Sequence, residues 1–150
     1  MISRQTIPEQ WLIVEQSLSD LWPALRRLPR GSGVLVLRAF GPSDEARLRR
    51  LARLRTLTLV TEGPRSAARV HNIRELRHAL LRRTPLILLS PIHETRSHPG
   101  WKPLPHMRSA ALAALADRRL IALGGMNQKR YSKVAPLGFI GWAGISAFRI

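Results

Sequence analysis

Two short segments, a helix-length apart, combine hydroxyl side chains with paired glycines. One runs Leu89-Ser90-Pro91-Ile92-His93-Glu94-Thr95-Arg96-Ser97-His98-Pro99-Gly100, and the other is Ala122-Leu123-Gly124-Gly125-Met126. Thr95 and Ser97 bring side-chain donors. Gly124 and Gly125 let backbone N–H groups come close to a ligand, and both features suit a phosphate. Each segment follows an unbroken apolar run, Leu86–Leu89 or Leu120–Leu123, of the kind a buried parallel strand shows. Both therefore read as loops leaving the C-terminal ends of strands. In a parallel barrel the loops after the last two strands are where phosphate is held.

Other side chains could take part. His71 stands just ahead of a helix start, and an imidazole can both give and accept a proton. Arg38 ends a strand on the side of the expected site. Glu62 brings a carboxylate to the end of the third strand. Arg96 and His98 lie near enough in sequence to meet a phosphate. His93, His98 and His106 follow no metal-ligand spacing such as H-E-x-x-H. The chain has no cysteine, which excludes disulfides, thiolate metal sites and a cysteine nucleophile. Of the four tryptophans, Trp11, Trp22 and Trp142 read as packing residues. Trp101 could cover a heterocycle.

The elements that must position these residues alternate. Trp11–Val14 reads as a first strand. Ser19 and Asp20 open a helix that ends near Leu28. Val34–Leu37 is a second strand, Ser43-Asp44-Glu45 begins a second helix, and Thr56–Val60 is a third strand. Only Thr61 to Val70 is too short for a helix and a strand, and Ala68-Arg69-Val70 is a brief strand there. Asn72-Ile73-Arg74-Glu75 has the form of a capping box. Its helix precedes strand Leu86–Leu89. A helix over about Met107 to Arg118 precedes strand Leu120–Leu123. Asn127 caps a short helix to Val134, and Phe139–Ala143 is the last strand. Such alternation means right-handed βαβ units and a parallel sheet. The fold expected is a (β/α)8 TIM-barrel-like α/β domain, truncated to about seven strands, with the deficit between Val60 and His71. An open edge there makes a homodimer a reasonable expectation.

With 150 residues, 45% of them hydrophobic, the chain suffices for a single domain with one substantial core. No apolar run reaches the roughly 18 residues of a membrane span, and the N-terminus lacks a secretory pattern. A cytoplasmic location without membrane contact is the default expectation. Lysine and arginine total 25 against nine acids, a formal net charge of +16. This charge suggests a polyanion. However, the arginines are spread over helix faces with few aromatics among them, so a basic nucleic-acid-binding protein is the remote alternative and nucleic acid is not the partner expected. An arginine-rich surface that draws in phosphorylated substrates accounts for the composition.

At the two loops the sequence resembles the thiamine phosphate synthase/thiazole tautomerase (TenI-like) family of small barrels. Ser90-Pro91-Ile92-x-x-Thr95-x-Ser97-His98-Pro99-Gly100 is similar to its G/S-P-x-x-x-T-x-S/T-K/H-P-G loop. Ala122-Leu123-Gly124-Gly125-Met126 is similar to A-x-G-G-I/M, and Ile145-Ser146-Ala147 to the terminal I-S-A. Val70-His71-Asn72-x-Arg74-Glu75 looks like the strand end that bears the family histidine. The likeness covers about Val70–Ala147.

The resemblance implies that Gly125 and the Ile145-Ser146 turn hold the phosphate of a thiazole phosphate, with Thr95, Ser97, His98 and Gly124 beside it. It implies either condensation with a hydroxymethylpyrimidine diphosphate, using Mg²⁺ and expelling pyrophosphate, or tautomerisation with His71 as acid and base. A binding module without catalysis is the third outcome. The diphosphate half departs from the family pattern. Aligning on Arg38 puts Val36 and Phe40 where the family has Gln and Lys. Thr61-Glu62 replaces an Asn-Asp pair, which leaves Glu62 as the one carboxylate the resemblance offers to magnesium; Arg69 replaces a serine, and the unit bearing a second magnesium carboxylate is missing.

Overall fold

The computed structural model describes residues 7–15, 21–37, 40–95 and 100–148, apart from the side chain of Ser146. Seven parallel strands form one sheet: β1 (Gln10–Val14), β2 (Gly33–Val36), β3 (Thr58–Thr61), β4 (Ala67–Val70), β5 (Leu86–Leu89), β6 (Leu120–Leu123) and β7 (Phe139–Gly144). Their order is β3-β2-β1-β7-β6-β5-β4. The sheet curls into a nearly closed barrel, with helices returning over its outside. These are α1 (Trp22–Arg27), α2 (Pro42–Arg55), α3 (Ile73–Leu81), α4 (His106–Leu115) and α5 (Gln128–Val134). No described helix is long and apolar enough to cross a membrane.

The gap lies between β3 and β4, where the sequence ran short. A neighbouring parallel strand needs a crossover of about a dozen residues or more. Here only residues 62–66 intervene. Both strands are left as edges, joined by a single antiparallel bridge from Gly63 to Ala67. The short connection is pinned in place. The Thr84 hydroxyl donates to the Pro64 carbonyl at 2.9 Å, and the Ser66 hydroxyl donates to the Thr61 carbonyl.

Strand periodicity divides the core into an inner and an outer layer. Trp11, Ile13, Leu35, Val60, Leu86, Leu88 and Ile121 fill the barrel. Outside, α1 and α2 cover β1 and β2 through Leu25, Leu28 and Leu48. The remaining helices cover the other half through Leu76, Leu112 and Val134. Trp11 is fully buried inside the barrel. It fits because Gly33 on the paired strand has no side chain; a Cβ there would be driven into the indole.

Several expected boundaries shift for local reasons. Thr56 is not in the third strand: it ends α2 in the left-handed conformation, φ 55°, with Leu57 leading into β3. The second helix starts at Pro42, with Gly41 at its cap, rather than at Ser43; proline suits a first helical position. The helix expected to reach Arg118 stops at Leu115, because Asp117 and Arg118 turn left-handed, φ 56° and 54°. The Asn72 and Asn127 caps form as read, accepting from the N–H groups of Glu75 and Arg130 at 2.9 and 2.8 Å. Ser19 and Asp20 lie outside the described residues.

Candidate functional site

Because alternate residues face the barrel axis, the positions just past each inner core residue crowd together at the strands' C-terminal ends. Ile13 leads to Glu15, Val60 to Glu62, Ala67 to Arg69 and His71, and Leu88 to Ser90. With Thr95, Gly124, Gly125 and Ile145 these line one cleft of about 960 Å³. Trp101 stands at its margin and is half exposed.

The loops after β5 and β6 are joined by backbone. The N–H groups of Ile92 and His93 donate to the carbonyls of Leu123 and Gly124, each at 3.0 Å. Gly124 and Gly125 both have positive φ, 103° and 60°. A Cβ on Gly124 would lie 3.0 Å from the Pro91 Cα, and one on Gly125 would be driven into the Glu94 carbonyl. The glycine pair thus first makes room for the neighbouring loop, and so brings Thr95 and Gly125 to one wall. Arg130 donates to the Gly125 carbonyl from α5. Burial, and then the positive charges of Arg130, His106 and Lys133, hold the His93 pKa below its ordinary value of 6.5.

In the same cleft, His71 is held from behind. Its Nδ1 lies 3.2 Å from Glu75 Oε2. The other oxygen of Glu75 accepts from the Asn72 amide at 3.1 Å. The same asparagine caps α3, so the helix start fixes the carboxylate and the carboxylate fixes the imidazole. With Nδ1–H given to Glu75, Nε2 is left as the proton acceptor. The indole of Trp101 meets the ring edge-on, with centroids 5.6 Å apart at 87°.

At the barrel gap, Glu62 and Arg69 form a two-pronged ion pair. Arg69 Nε lies 2.7 Å from Oε2, and its Nη2 lies 3.2 Å from Oε1. Glu62 was the expected magnesium carboxylate. Both its oxygens are engaged by a guanidinium, and among the described residues no three acidic or histidine side chains form a group able to hold a metal. Magnesium prefers one or two carboxylates with open coordination positions. The donor set here does not fit it.

The fold itself has known counterparts. A thiamine phosphate pyrophosphorylase from Pyrococcus furiosus superposes with a TM-score of 0.72 over 96% of this chain and 89% of that one, at 13% identity. The fold is that of the thiamine phosphate pyrophosphorylases. A second such pyrophosphorylase, from Bacteroides thetaiotaomicron, gives a TM-score of 0.58 at 14% identity, covering 93% of this chain and 83% of that one. No family model matches the sequence, and no curated protein matches it. The likeness lies in the pyrophosphorylase architecture.

Of the site residues expected from sequence, Thr95, Gly124, Gly125, Ile145, His71 and Glu62 share the cleft of this pyrophosphorylase-like barrel. Arg38, Arg96, Ser97 and His98 lie outside the described residues. Ser146 opens a 3-10 turn, Ser146–Phe148, directly after Ile145; its side chain is not described. Sequence reasoning missed Glu15, Arg69 and Glu75. Glu15 and Arg69 follow inner core residues by two along their strands, which was the available signal. Glu75 figures in the capping box and in the strand-end motif, neither of which tells that its carboxylate holds His71.

Proposed function

We propose that this cleft binds a phosphorylated thiazole and that the protein acts in thiamine metabolism. The observation that carries the reading is that Thr95, Gly125, Ile145 and His71 line one cleft. In this reading the phosphate lies against the Gly124-Gly125 and Ile145-Ser146 turns, where backbone amides and the Thr95 hydroxyl can donate to it. The nearby Arg130 adds positive charge. The heterocycle extends toward His71 and the face of Trp101.

Among the reactions open to such a ligand, proton transfer has the better provision. With Glu75 holding Nδ1, His71 Nε2 can take a proton from one ligand atom and return it to another, as a tautomerase requires. The Glu75 carboxylate stabilises the imidazolium that forms in between. Condensation with a pyrimidine diphosphate is the second reading. It needs cations aimed at the leaving group. Val36 and Phe40 stand where the related pattern has polar groups, and Glu62 is tied to Arg69.

Thermal denaturation with thiazole phosphate tests the binding. At about a hundred times Kd, a ligand that binds only the native state adds about 2.7 kcal/mol, a rise on the order of 5–10 °C for this chain length. No shift at saturation removes the proposal. His71→Gln is expected to keep that shift and lose tautomerisation of the thiazole carboxylate phosphate. Binding without turnover by the unmodified protein would leave a binding module and remove the catalytic role of His71.

A further inference from the structure

In this barrel every helix runs back against the sheet, so the helix C-termini gather at the end where the strands begin. Reading from the last turn of each helix into the following strand, that end carries ten arginines and lysines and one acid, Asp117. The topology thus gathers at one end a large part of a charge that is dispersed along the sequence. Two of the ten serve the fold. Arg55 donates to the Leu28 carbonyl at 2.6 Å. Arg30 reaches the Leu54 carbonyl and the Thr56 hydroxyl at 3.5 and 3.4 Å. Arg26, Arg27 and Arg53 are exposed and make no ion pair among the described residues; Arg82 is exposed too but also lines the cleft.

Two further observations set this end apart from an ordinary solvated surface. Arg83 and Arg118 occupy left-handed backbone, φ 55° and 54°, in the position after a helix where glycine is favoured. Arginine stands there against the local conformational preference, and both side chains are exposed. Three helices also end with an exposed leucine beside their arginines: Leu54 at 64%, Leu81 at 84% and Leu115 at 46%. Large apolar side chains set among cations are of no use to a phosphate backbone, and Tyr131, the aromatic phenol in these stretches, is buried and so offers no face for a base to stack on,. The combination matches an anionic bilayer, where arginines meet lipid phosphates and leucines enter the headgroup boundary.

We infer that the helix-C-terminal end of the barrel is a docking face for anionic lipid membranes.

Co-sedimentation of the full chain with vesicles tests this. Vesicles of phosphatidylcholine alone serve as reference for ones carrying about 30% phosphatidylserine. The protein is expected to sediment with the anionic vesicles and to be released as salt rises above about 0.5 M, where surface charges are screened. Arg83→Gly with Arg118→Gly relieves the left-handed backbone, so this variant is expected to keep or raise its melting temperature while vesicle affinity falls about tenfold or more. Leu81→Ser, at an exposed position, is expected to weaken vesicle binding as well. Failure to sediment with anionic vesicles at low salt overturns the inference. So does sedimentation that none of these substitutions alters. Tighter binding to a duplex oligonucleotide than to vesicles, indifferent to Leu81→Ser, assigns the face to nucleic acid instead and equally overturns it. All these outcomes leave thiazole phosphate binding in the cleft unaffected.

Discussion

Gly125 and His93 show how closely the candidate site depends on single residues. Gly125 meets both the positive φ of its turn and the Glu94 carbonyl that lies where a Cβ would be. Gly125→Ala is therefore expected to cost about 1–3 kcal/mol through overpacking and left-handed strain, read as a lower denaturation midpoint without ligand. An unchanged midpoint would mean that the loop after β5 does not rest on this glycine. His93 gives a pH dependence. Its folded pKa is lowered, chiefly by burial, so the native state resists the proton that the unfolded chain accepts. Stability is then full above the unfolded value of 6.5 and is lost as pH falls from there toward the lower folded value. His93→Gln is expected to flatten the fall in melting temperature between about pH 7 and 5. An unaltered slope would assign it to other groups.

At the scale of the elements, the sequence was most legible where pattern and packing agree. The runs Leu86–Leu89 and Leu120–Leu123 are buried strands with those limits, since a four-residue apolar run beside turn residues has few other uses in a parallel sheet. The Asn72 and Asn127 caps were legible because the side-chain acceptor lies three residues from its donor. Helix ends were less so. Thr56, Asp117 and Arg118 close helices in left-handed backbone without the glycine that usually marks it,. Strand β2 carries a sharper dependence. Gly33 makes room for the Trp11 indole on β1, so Gly33→Ala is expected to destabilise the barrel by about 1–3 kcal/mol, lowering the melting temperature by several degrees. Circular dichroism melting checks it. An unchanged melting temperature would show that Trp11 can move aside.

For the whole molecule, the short connection between β3 and β4 governs the shape. Five residues cannot make a parallel crossover, so the barrel stays open along one seam, and the Glu62–Arg69 pair bridges its upper end. That gap was visible in the sequence as a missing length. The ion pair was not, because it joins a residue read as a metal ligand to one read as a departure from a family pattern. The cleft was only partly legible. The wall built by the loops after β5 and β6 follows from two loop motifs, whereas the pairing of His71 with Glu75 emerges once α3 is in place.

Amide chemical shifts followed during a titration with thiazole phosphate test the central claim most directly. The account predicts saturable changes concentrated at Thr95, Gly124, Gly125, Met126 and Ile145, with smaller ones near His71. Saturating ligand that leaves those amides unmoved, or that shifts only the helix-C-terminal end of the barrel, would contradict it.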